Sequence, residues 1–360
     1  MCVLPAFPRS FPPDDVETRI ASADDARRLP RPDAARLEHL LSERLGPLLP
    51  FAGPQADRLP RVADAIVLAH ARTSLRHGRL GEDYHAYHCE DHILEILDGR
   101  IGRLIAHGRL HALGWRDWCA LALFAATHDL RQREPALRDE RIGANERASI
   151  EEAWRILDAC GFSRTDDEDF YVDLALMIGG STFDARRSSG PVPNAAEMLQ
   201  TGGALAPSLP AYLDLHDPRW RERPHWSHAA QLALIAADLD TANVAEPFLS
   251  FLASGERLCR EREMLCGRRL DAVDSATPVL RFLTDAQETY FFDLHRFHSP
   301  AGRHAFAAGK DDNAPRLRAL CAGVRARVAA GAAPPTGEAA IALYRSLGAT
   351  LAGPAGPAGS

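Results

Sequence analysis

The sequence has almost no lysine: of 42 basic residues, Lys310 alone is not an arginine. Nor has it a surplus of positive charge, since 49 acidic residues leave a formal net charge of −7 and a pI near 6.1. This excludes the general positive field by which proteins hold nucleic acid or anionic membranes, so neither is expected as a partner. Cysteines number seven, an odd count with no Cys-x-x-Cys pair, which argues against a disulfide framework or a zinc ribbon and fits a reducing cytoplasm. No apolar run approaches the roughly 18 residues needed to cross a bilayer, and the amino terminus lacks a basic stretch followed by a long apolar one, so neither a membrane span nor export is expected. Alternating apolar and polar residues of useful length, the mark of strands, are missing too.

What is there is helical periodicity. With 46% hydrophobic and 25% charged residues, 360 residues suffice to bury a large core. Apolar residues recur at intervals of three and four over 61–78, 88–107, 115–128, 144–160, 167–178, 225–244 and 277–296. The breaks fall around 131–143, 181–193 and 201–224, where proline, glycine, serine or charge collects. These observations predict an all-α core over 61–300. Before it lies an extension over 1–60, with a proline-containing lead-in and one or two helices between 15 and 49. After it come helices within 301–350, at about 313–330 and 337–350, and a low-complexity tail over 351–360.

The chemistry collects at the ends of apolar runs. His128 and Asp129 close the run that begins at Leu121; Asp238 closes another, Leu232 to Ala237; and Tyr87-His88-Cys89-Glu90-Asp91-His92 lies upstream of both. Imidazole and carboxylate ligands thus arrive from three separate segments, as a site inside a helical bundle requires. If the first segment is helical, His88 and His92, four apart, share one face. Asp240, two residues past Asp238 and turned away from it on a helix, stands in reserve.

The order Tyr-His-x-x-x-His, then His-Asp, then Ala-Asp-Leu resembles the HD-domain metal-dependent phosphohydrolase superfamily, and within it the cyclic-nucleotide phosphodiesterases and the bacterial phosphohydrolases similar to them. The resemblance covers roughly residues 84 to 295. It implies an HD-type helical bundle, with His92, His128, Asp129 and Asp238 as metal ligands and His88 as proton donor to the leaving oxygen. Asn145-Glu146-Arg147-Ala148-Ser149 resembles an Asn-Glu-x-x-Ser element of bacterial members. Two imidazoles and two carboxylates suit Mn²⁺, Fe²⁺, Zn²⁺ or Co²⁺, and carboxylate oxygen also reaches a second, harder ion such as Mg²⁺. The expectation is therefore two divalent ions with Asp129 as the bridge and a hydroxide between them. Glu146 and Glu152 are candidates to orient His88 or bind a metal water, and the Gln132 amide can hydrogen-bond a metal water.

The chain also departs from the pattern. Cys89 replaces a common Asn, Gln132 stands where the phosphodiesterases generally have a third His, and Ile178-Gly-Gly-Ser-Thr-Phe183 lacks a downstream Thr-x-His. Gln287 with Tyr290 and Phe291 resembles the glutamine-plus-aromatic clamp that holds a purine. The function implied is hydrolysis of a nucleotide phosphoester, with a 3′,5′-cyclic nucleotide ahead of nucleoside monophosphates and triphosphates. The alternatives are a nucleotidase or other phosphomonoesterase, an HD-type di-iron oxygenase, and a nucleotide-binding regulator without turnover. A small-molecule nucleotide is the expected partner, and the flanking segments offer surface for a homodimer.

Overall fold

The computed structural model describes residues 10–107, 113–134, 142–183 and 203–352. The predicted lead-in before residue 10, the last eight residues of the low-complexity tail and much of the breaks at 131–143 and 181–193 lie outside them. Among the described residues the fold is all-α: there is no sheet, only an isolated bridge between Phe183 and Ala204. No described helix is long and apolar enough to cross a membrane.

The chain divides into two compact units. Among the described residues the first comprises 10–183 together with Ala204–Asp240 and His298–Gly302, and the second comprises Gly203, Thr241–Phe297 and 303–352. Residues 241–297 group with the C-terminal helices, and residues 10–60 group with the first unit.

At the centre of the first unit is the helix Trp115–Thr127, whose residues from Cys119 to Thr127 are all buried. A helix apolar on every side has no solvent face, so it must be surrounded. Arg58–Arg76, Glu168–Ser181 and Pro224–Asp240 pack around it, and Ala144–Ala159 packs on the first two of these. The consequence for the site is direct: the buried end of this helix delivers His128 and Asp129.

The amino-terminal extension is tied down by charge. Glu17, on the short helix Asp15–Arg19, takes Arg155 at 2.6 and 2.8 Å and Arg72 at 3.3 Å. Asp14 takes Arg76 at 2.7 and 2.9 Å, and that pairing holds its carboxyl down at about 2 against the opposing effect of burial. Glu152, fully buried on Ala144–Ala159, sits between Arg72 at 3.3 Å and Arg76 at 3.1 Å. Glu152, a candidate partner of the metal site from the sequence, lies instead in this arginine network, where it adds to the countercharge that Glu17 and Asp14 give the buried arginines of the Arg58–Arg76 helix.

In the second unit, Phe248–Leu265, Ala276–Arg281 and Gly337–Ala352 pack together. The first of these was not among the helices predicted individually, and the predicted helix at 313–330 extends back to Pro300, running Pro300–Ala329 with Pro315 inside.

Candidate metal centre

His92 reaches the centre from the helix Glu90–Glu95, which continues through a π-helical turn, Ile96–Arg100, into Ile101–Ala106. The helix begins at Glu90, so His88 lies in the bend before it and does not share a helical face with His92 as predicted. The two rings are still close, with centroids 6.2 Å apart, and Tyr87 packs against both.

Four side chains converge. His92 Nε2 lies 3.3 Å from Asp240 Oδ1 and 3.7 Å from Asp129 Oδ2. His128 Nε2 lies 2.9 Å from Asp129 Oδ2 and 3.4 Å from Asp240 Oδ1. Both imidazoles are buried, with side chains 2% exposed, whereas both carboxylates are 19% exposed. The nitrogens therefore form the floor of the site and the oxygens face its opening.

This donor set fits a divalent cation. His128 Nδ1 lies 3.1 Å from the Phe124 carbonyl, and donating there leaves Nε2 to act as ligand. That Nε2, although buried and flanked by two carboxylates, makes no well-directed hydrogen bond. His92, His128 and Asp240 each bring a ligand atom within 4.8 Å of the other two, a mixed nitrogen and oxygen set suited to a transition metal.

Asp240 thus faces the histidines, the place that the sequence resemblance gives to Asp238. Asp238 is buried and turned to the other side of its helix, where it accepts the N–H groups of His298 and Ser299 at 2.7 and 2.8 Å and the Ser299 hydroxyl at 2.6 Å. Two residues on a helix are about 200° apart, so only one of this pair can face the histidines. Asp238 satisfies the backbone ahead of Pro300–Ala329; Asp240 is left for the site.

A chain of amides fixes Asp129. Gln132 donates to Asp129 Oδ1 at 2.9 Å, Asn145 donates to the Gln132 carbonyl oxygen at 3.3 Å, and the Asn145 oxygen receives the Glu134 N–H at 3.0 Å. Ser149 accepts the Arg131 N–H at 3.1 Å. The Asn-Glu-x-x-Ser element is therefore what holds the turn after the His-Asp pair. Sequence reasoning missed one positioning residue, Arg100: buried in the π-helical turn, it donates to the carbonyls of Leu239 and Asp240. A buried arginine flanked by an irregular helical turn leaves no periodic signature by which to find it.

The electrostatics are those of a site waiting for positive charge. Burial pushes Glu146 up to about 7, with the carboxylates of Asp129 and Asp240 adding to the effect. Burial works against the charged form of His128, but the same two carboxylates outweigh it and hold its pKa up at about 10. Between pH 6 and 8 the metal-free protein accordingly carries an imidazolium at His128, and a cation taking Nε2 must displace that proton. Metal affinity is expected to rise about tenfold per pH unit over this range, read by competition with a chromophoric chelator at pH 6, 7 and 8. An affinity independent of pH would remove His128 from the ligand set.

The predicted purine clamp lies in the second unit. There Phe291 is 1% exposed and packs on Phe251, with ring centroids 5.6 Å apart, and Gln287 is buried with its amide against Gly255. Tyr290 is half-buried, its ring 5.6 Å from that of His295. Phe291 is therefore a core residue, and packing accounts for its place without a base. Comparison with protein-family models, with curated proteins and with solved structures finds no match.

Proposed function

We propose that the protein is a metal-dependent phosphohydrolase of the HD type that cleaves a nucleotide phosphoester. The observation that carries this reading is the convergence of His92, His128 and Asp240, with Asp129 held beside them by Gln132. His92, His128, Asp129 and Asp240 would hold the divalent metal. When bound, such an ion supplies positive charge for the phosphoryl oxygens and acidifies a water for attack at phosphorus.

The remaining work falls to the chain's own groups. Gln132 and Asn145 fix the direction of the Asp129 carboxylate, so that its second oxygen faces the imidazoles. Arg100 holds the end of the Pro224–Asp240 helix and with it Asp240. His88 lies within electrostatic reach of Asp129 and Glu146. Its role is to give a proton to the departing oxygen.

Among substrates a 3′,5′-cyclic nucleotide comes first, on the resemblance of Tyr87 to His92 and of the His-Asp pair to the phosphodiesterases. The test is hydrolysis of bis-p-nitrophenyl phosphate by the purified protein with Mn²⁺ or Mg²⁺, followed by a panel of cyclic AMP, cyclic GMP and nucleoside monophosphates. Activity is expected with at least one metal, and a His88→Ala variant should lose about 10²-fold or more on substrates with a poor leaving group while losing less on the nitrophenyl ester, whose leaving group needs no proton. Inactivity across metals and across cyclic and linear nucleotides would overturn the proposal. Iron as the bound metal, with oxygen consumption, would point to oxygenase chemistry instead.

A further inference from the structure

The segment that leaves the Arg58–Arg76 helix and runs into Tyr87 carries a second group of ligands, which the chemistry above does not use. His77, Asp83 and His85 each bring one ligand atom within 4.8 Å of the other two. The two imidazole centroids are 4.4 Å apart, and Asp83 Oδ2 lies 3.1 Å from His85 Nε2 and 3.6 Å from His77 Nδ1. A separation of 3.6 Å is too long for a hydrogen bond. Both ring nitrogens of His77, a residue only 2% exposed, accordingly have no hydrogen-bond partner among the described residues. Leaving a buried polar group unsatisfied is costly, so an imidazole kept in this state calls for a group from outside the described residues to take its lone pair.

The loop around the cluster is built closely enough to hold it. The His85 N–H bonds the His77 carbonyl at 2.8 Å and returns the chain to its starting point, while the N–H groups of Gly78 and Leu80 bond back to Thr73 and Ser74. Glycine is required twice on the way. A Cβ on Gly78 would fall 1.7 Å from a Glu90 carboxylate oxygen and 2.7 Å from the Ser74 backbone, and one on Gly81 would fall 2.7 Å from two backbone carbonyl oxygens. Glu90 Oε1 in turn accepts the Arg79 N–H at 3.0 Å and the Ser74 hydroxyl at 3.3 Å. Arg133 grips Asp83 as a fork, at 2.8 Å to Oδ2 and 2.6 Å to Oδ1, in the way outer hydrogen bonds orient a ligating carboxylate. With Asp83 39% exposed and both histidines buried, an ion has a path in from the carboxylate side.

We propose that His77, Asp83 and His85 form a second metal site, distinct from the His92–His128–Asp240 centre, that takes Zn²⁺ or a similar borderline ion. Two imidazoles and one carboxylate with a water in the fourth position make a familiar tetrahedral set. The two groups share no residue, so this site does not depend on the phosphohydrolase reading. Its local effect is to lock residues 77–85 as a closed loop immediately before Tyr87 and His88.

Zinc stoichiometry after equilibrium dialysis of the full chain separates the sites. One equivalent is expected to vanish in His77→Ala and in His85→Ala, a different one in His128→Ala, and both in the His85→Ala/His128→Ala double variant. Unchanged zinc content in folded His77→Ala and His85→Ala, checked by circular dichroism, would overturn the proposal. Anomalous scattering from zinc-soaked crystals of the unmodified chain decides the matter even if the variants unfold. A peak between His77 and His85 is expected, and zinc confined to the His92–His128 centre would equally overturn it.

Discussion

Asp240→Asn is expected to cost the protein its bound metal and at least about 10²-fold in phosphoester hydrolysis, while Asp238→Asn should keep the metal and lose stability. The lower bound follows because changes to groups that merely orient metal ligands already cost roughly 10–100-fold, and Asp240 touches both histidines directly. Asp238 has a different job: its carboxylate takes two backbone N–H groups and a hydroxyl, all within 2.8 Å. An amide still accepts at one oxygen but loses the charge that strengthens such bonds, for a cost of about 2–3 kcal/mol. Elemental analysis of the two purified variants, with thermal melts alongside, tells them apart. Metal loss in Asp238→Asn with retention in Asp240→Asn would restore the assignment that the sequence suggests. Asp129→Ala should abolish hydrolysis in the same assay.

The second large effect concerns Glu152. Glu152→Ala is expected to lower stability by about 3–5 kcal/mol, because it strands Arg72 and Arg76 in the interior with less countercharge than they need. For a unit of this size that corresponds to a fall in Tm of roughly 10 °C. Zinc or manganese affinity of the folded variant should be unchanged, since its carboxylate contacts arginines and not the metal ligands. A calorimetric melt and a metal titration together check this. Reduced metal affinity at unaltered Tm would return Glu152 to the site.

Much of this was legible in the sequence because local patterns carry it. A three-and-four apolar period can be satisfied only by helices, and the all-apolar run before His128 demanded a central position. The His-Asp pair at the end of that run, and the aspartates at the end of the Leu232 run, mark candidate ligands because burying such groups without a partner is costly. The Asn145 and Ser149 element was visible as a motif, although not its task of holding Gln132 and the turn.

Three things were decided only by the tertiary structure. Which of Asp238 and Asp240 faces the histidines depends on the rotation of the Pro224–Asp240 helix, fixed by Arg100 gripping its last carbonyls and by His298 and Ser299 arriving from 60 residues away. Glu152 is an arginine partner only because the N-terminal extension and the Arg58–Arg76 helix pack over it. Phe291 is core rather than cover because Phe251 lies against it. In each case the composition of the helix leaves the facing of one side chain open, and long-range packing settles it. The sequence by itself determined the helices and the kinds of candidate ligand; the structure determined which carboxylates meet which imidazoles, because a helix rotation of two residues, about 200°, exchanges the carboxylate that faces the histidines for the one that caps the backbone.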